Sequence, residues 1–100
     1  MKIAIASLGN KLDSTISEQA GRAPFYLIFK DKKLEEIFKN PFRFGGGGAG
    51  TSVAKALSDK NVNTIVAEKF GPNVKAFFEE KNIKIIEQKG KVRDALKWIQ

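Results

Sequence analysis

The segment Lys2-Ile3-Ala4-Ile5-Ala6-Ser7 alternates like a β-strand yet offers no polar face. Ile3 and Ile5 point to one side and Ala4 and Ala6 to the other, so both sides of the strand need cover. A strand of this kind belongs at the centre of a sheet with a layer packed on each face. The two small alanines leave room for a helix to approach closely on their side.

The polar stretch Leu8-Gly9-Asn10-Lys11-Leu12-Asp13-Ser14 reads as loop, and Ser14 or Thr15 is placed to cap a short helical turn through Glu18. Pro24 cannot donate to a ladder and fits at the start of a second strand, Phe25 to Phe29. Lys30-Asp31-Lys32-Lys33 makes a tight turn, and Leu34 to Lys39 returns beside it as a hairpin. The pattern is divided there. Leu34, Ile37 and Phe38 lie at helical spacing, and Glu35-Glu36 interrupts the alternation. Charges are normal on a sheet edge, so an edge strand is the expectation.

Three helices have clearer signals. Thr51 or Ser52 is expected to cap the first, with Val53, Ala56 and Leu57 buried and an end near Asp59-Lys60-Asn61. Gly71-Pro72 begins the second, where proline's missing N–H costs nothing, and Val74, Phe77 and Phe78 form its apolar stripe. The third starts near Lys91, with Val92, Ala95, Leu96 and Ile99 on one face. Trp98 reads as a core or dimer-face residue. Thr64 to Ala67 and Ile83 to Ile86 are short strands between helices. With right-handed crossovers, the order β-β-β-α-β-α-β-α implies an α/β fold of three α/β/α layers. Its five-stranded mixed sheet is expected in the order 3-2-1-4-5, within one domain spanning residues 1–100.

Composition excludes several chemistries. The chain has no cysteine and no histidine, which removes disulfides, thiolate nucleophiles, zinc fingers and imidazole ligation. No apolar run reaches the roughly 20 residues of a membrane span, and the first residues read as a strand rather than a secretory signal. A cytoplasmic protein is the expectation. The net charge of +7 suits an anionic ligand or surface. Most of the lysines are scattered, as on a solvated surface of the kind selected for thermostability.

Asn40-Pro41-Phe42-Arg43-Phe44-Gly45-Gly46-Gly47-Gly48-Ala49-Gly50-Thr51 joins a strand to a helix with five glycines among twelve residues. Two readings stand: a flap whose bare N–H groups close over an anion, or an entropic linker. The topology brings this run to one rim of the sheet together with Ser7 to Ser14, Ser17 to Pro24 and Glu68 to Asn73. Ligands of open α/β sheets bind at such a rim. Arg22, Arg43, Lys11 and Lys69 gather there with the helix starts at Thr51 and Gly71, opposed by Glu18 and Glu68.

At these residues the chain resembles the dinitrogenase iron–molybdenum cofactor biosynthesis family, small nitrogenase-accessory-factor-like domains of ribonuclease-H-like fold. The resemblance is carried by Met1 to Ala6, Leu12-Asp13-Ser14, Ser17 to Tyr26, Asn40-Pro41 with the glycine run, and Phe70-Gly71-Pro72-Asn73. It implies binding or carriage of an anionic metal–sulfur cluster or precursor, with cluster-assembly proteins as partners and no catalysis. Ser17, Gly21, Arg22, Gly45, Gly46, Gly47, Gly48, Gly71 and Pro72 would then shape the site, beside Arg43 and Thr51 from the rim. Many members carry histidine where this chain has Gln19, followed by phenylalanine where it has Ala20, and histidines where it has Phe42 and Phe44. Those departures leave outer-sphere capture, with Gln19 as a hydrogen-bonding side chain and no metal ligand in the chain.

Two other functions are weighed. A nuclease of this fold needs carboxylates on neighbouring strands to hold two metals, and Lys2 to Ser7 has none. Plain nucleic-acid binding lacks aromatics interleaved with basic residues on one face. A nucleotide site under the glycine run lacks the Gly-Lys-Ser/Thr ending of a phosphate loop.

Overall fold

In the computed structural model, which describes residues 1–44 and 48–99, strand β1 (Lys2–Ser7) runs through the middle of the sheet. Every residue of β1 after Lys2 is buried. The remaining elements are β2 (Phe25–Lys30), β3 (Lys33–Lys39), α1 (Ala49–Asp59), β4 (Thr64–Ala67), α2 (Pro72–Glu80), β5 (Lys84–Glu87) and α3 (Val92–Trp98). The sheet order is β3-β2-β1-β4-β5, with β1–β2 and β2–β3 antiparallel and β1–β4 and β4–β5 parallel. The expected α/β topology is the observed one.

The two faces of β1 sort the core. Ala4 and Ala6 pack with Val53, Ala54 and Leu57 of α1 and Phe78 of α2. Ile3 and Ile5 pack with Val92 and Ala95 of α3, and with Ile16. Three layers follow from that division.

The ambiguous segment is a strand, and its helical spacing has a cause. Ile28 pairs with Glu36 but Phe29 pairs with Leu34, leaving Glu35 as the extra residue of a β-bulge. The insertion puts Leu34 and Ile37, three apart, on the same face, opposite Phe29 and Leu27. The two-residue turn at Asp31 and Lys32, with φ of 51° and 68°, has the sense that matches a right-twisted hairpin.

Helices α1 and α2 end alike. Asn61 (φ 65°) and Asn82 (φ 60°) take the left-handed position after each helix. Val62 N–H then bonds Leu57 O at 3.0 Å, and Ile83 N–H bonds Phe78 O at 3.0 Å. These are Schellman endings, each closed by an apolar pair inside one core cluster.

Several local expectations are corrected. No helical turn forms at Ser14 to Glu18. Ile16 bridges Ser7 and Thr15 bridges Lys91, so the segment is spent on sheet-like pairing. Neither Thr51 nor Ser52 caps α1, which begins earlier, with Gly48 as N-cap and no side-chain cap. β5 lies one residue later than expected, and Ile99 is buried but past the helical end of α3. Val74 and Phe77 are half-buried, leaving Phe78 as the fully buried residue of α2. Trp98 is 77% exposed and outside the core.

Candidate functional site

Beyond β4 the sheet is extended by a strap, residues Ser17 to Pro24, laid across its end. Ser17 N–H donates to Ala6 O at 2.8 Å, Glu68 N–H to Ser17 O at 3.0 Å and Lys69 N–H to Glu18 O at 2.9 Å. Ala20 N–H returns to Lys69 O at 3.3 Å. Two buried side chains brace the strap from below. The Tyr26 hydroxyl donates to Ala20 O, and burial pushes its phenol well above the ordinary tyrosine range, against the opposing backbone hydrogen bond with Ala23. Asn40 Nδ2 donates to Ala23 O at 2.9 Å and Gly21 O at 3.3 Å.

Between the strap and the starts of α1 and α2 lies a cleft of about 560 Å³. Gln19, Gly21 and Arg22 line one wall, Ala49 and Gly50 of α1 the second, and Gly71, Asn73, Val74 and Phe77 of α2 with its approach the third. The three walls meet at glycines. A Cβ on Gly21 would stand 3.2 Å from Gly50 Cα, and one on Gly50 would stand 3.0 Å from Val74 Cγ2. Only the bare backbone allows so close a meeting.

Both helix starts are capped by glycine, Gly48 and Gly71, and neither has a side-chain cap. A Cβ at either position would meet nothing within 4 Å. A capping serine or threonine has the space there, but the chain places none, so the first-turn N–H groups stay uncovered by side chains. Those termini, with Arg22 and Lys69 on the same cleft, bias it towards anions. Glu18 is the opposing charge at its edge.

Of the predicted residues, Gln19, Gly21, Arg22 and Gly71 line this cleft, and Gly48 adjoins it as the α1 cap. Ser17 is buried with its hydroxyl turned to Gln19 O at 3.3 Å, and it borders a second groove that Gln19 and Arg22 also line. Arg43 borders that groove too, its guanidinium 4.9 Å above the Phe44 ring, while its carbonyl accepts Arg22 Nη1 at 3.2 Å. Thr51 and Pro72 are exposed and outside the lining. Gly45, Gly46 and Gly47 lie outside the described residues. Lys11 does not line the cleft, and Glu68 faces Lys89 at 3.8 Å.

Sequence reasoning missed the apolar floor. Val74 and Phe77, read with Phe78 as a core stripe, serve the cleft as well, and Phe70 joins them in its lining. Asn40, whose carbonyl partners flank Arg22, was visible only as part of a motif. Among the described residues no group of three or more His, Cys, Asp or Glu side chains is placed to hold a metal ion. No helix among them is long and apolar enough to cross a membrane.

Comparison with known proteins bears on the family and the fold. An uncharacterized protein of Methanocaldococcus jannaschii is 30% identical over 89 residues, 85% of this chain and 72% of that protein. The apo form of the orange protein from Desulfovibrio gigas has the same fold, with a TM-score of 0.88 at 22% identity over 96% of this chain and 83% of that one. A Thermotoga protein described as NifB-like, of the DUF35 family, matches with a TM-score of 0.81 at 26% identity, covering 96% and 84%. Residues 1–100 match the pattern of one family throughout, and the chain belongs to it: the dinitrogenase iron-molybdenum cofactor family.

Proposed function

We propose that the protein is a non-enzymatic carrier of an anionic metal–sulfur cluster, iron–molybdenum or related, or of its precursor. Family membership supports a cluster-related role, and the cleft supports the mode of holding. A chain without cysteine or histidine has no soft ligand to offer beyond its methionine. It can hold a preformed anionic cluster through hydrogen bonds and charge. Arg22 and Lys69 supply positive charge, Gln19 a neutral amide, and the two glycine-capped helix starts bare N–H groups. Val74 and Phe77 keep one wall apolar, which strengthens each electrostatic contact. Binding without metal–protein bonds also suits release to a cluster-assembly partner.

The observation that carries this reading is the opening of two helix starts without side-chain caps onto the same cleft as Arg22. It is tested by mixing the protein anaerobically with isolated iron–molybdenum cofactor, followed by gel filtration and elemental analysis. Wild type is expected to retain cluster near one per chain. Loss of one charge-assisted contact is worth about 1.5–3 kcal/mol, so Arg22→Glu should weaken retention by roughly tenfold to a hundredfold. Absence of retained metal in wild type would overturn the reading.

A further inference from the structure

Asn40 commits both ends of its side-chain amide and its backbone N–H to the rim. It is 6% exposed. Its Nδ2 reaches the carbonyls of Gly21 at 3.3 Å and Ala23 at 2.9 Å, the residues before and after Arg22. Its Oδ1 accepts the N–H of Phe42 at 2.9 Å, and its own N–H donates to Pro24 O at 3.0 Å. One buried amide therefore ties the strap that bears Arg22 to the segment that bears Arg43. Arg22 Nη1 spans the same gap to Arg43 O.

We propose that Asn40 is a positioning residue: its amide holds the backbone before and after Arg22 and so fixes where this residue stands, lining the cleft while its Nη1 donates to Arg43 O. The role rests on reading the cleft as an anion site. A buried amide is suited to this work because its donors and acceptor point in fixed opposite directions. A carboxylate in the same place would turn an acceptor towards two carbonyl oxygens.

Asn40→Asp and Asn40→Ala separate the two halves of the device. Aspartate keeps an acceptor for Phe42 N–H and loses both donations to the strap; alanine loses all three side-chain hydrogen bonds. Without ligand, amide hydrogen exchange should quicken at residues 21–23 in both variants, quicken at Phe42 in Asn40→Ala alone, and stay unchanged in β1. With isolated iron–molybdenum cofactor, the Kd should rise about tenfold or more in both variants, as when a residue orienting a ligand-binding group is lost. Val62→Ala, a core change at the foot of α1, should lower the melting temperature and leave the Kd unchanged. Unaltered exchange at 21–23, or wild-type affinity in both Asn40 variants, overturns the proposal. If wild type itself retains no cofactor, the carrier reading fails separately. Exchange alone then decides Asn40: coupled quickening at 21–23 supports it, and unchanged protection overturns it.

Discussion

Gly50 offers the sharpest test of how the cleft is built. It sits in the first turn of α1, where alanine would ordinarily be the better helix former by up to about 1 kcal/mol. The structure predicts the opposite sign. A Cβ there would stand 3.0 Å from Val74 Cγ2 and 3.4 Å from Phe77 Cδ2. Carbon atoms in good contact are roughly 3.5–4.0 Å apart, so the first distance falls short by roughly 0.5–1 Å. Overpacking of this kind costs about 1–3 kcal/mol. Set against a full helix-propensity gain, Gly50→Ala should lose up to about 2 kcal/mol. For a domain near 100 residues that is at most roughly 8–16 °C in melting temperature. The partner atom can be removed. Val74→Ala deletes Cγ2, so Gly50→Ala made in that background should be neutral or stabilising. The double-mutant cycle, read by urea unfolding, should then give a coupling of about 1–3 kcal/mol. Strictly additive effects would refute the close approach of α1 and α2, and with it the narrow mouth between their glycine-capped starts.

Two further outcomes follow from charge and burial. Glu18 lines the cleft and would face the proposed anion as a like charge, and an exposed charge of this kind is worth about 0.2–1 kcal/mol. Glu18→Gln should therefore tighten cluster binding about 1.5- to 5-fold, and the gain should shrink as salt shortens the screening length; weaker binding would show that Glu18 donates or positions instead. Tyr26→Phe leaves the buried carbonyl of Ala20 without its hydroxyl donor and should cost about 1–3 kcal/mol. Burial raises the folded pKa of this acid, so the native state keeps the neutral phenol while the unfolded chain ionises near pH 10. Its share of stability should be lost as pH climbs past about 10, and a urea-midpoint profile that is as steep in Tyr26→Phe as in wild type would contradict that assignment.

Local patterns were enough to order the chain. The two-faced apolar run at Lys2–Ser7, the proline at the start of α2 and the glycine-rich crossing to α1 each report on a short-range constraint, and short-range constraints are written in neighbouring residues. Where a distant partner decided, the pattern misled. Glu35 turned helical spacing into strand pairing because β2 absorbs it as a bulge. Ser14 and Thr15 lost their capping role because β1 and Lys91 offered better partners for that backbone. The site divides in the same way. That Arg22 shares a rim with Gly48 and Gly71 follows from strand direction alone. That Gly21, Gly50 and Val74 leave too little room between them for an added methyl, that Ser17 turns inward, and that Asn40 holds the carbonyls before and after Arg22 depend on how three separate segments pack. Sequence separation hides such contacts, since burial and hydrogen bonding are satisfied across space and not along the chain.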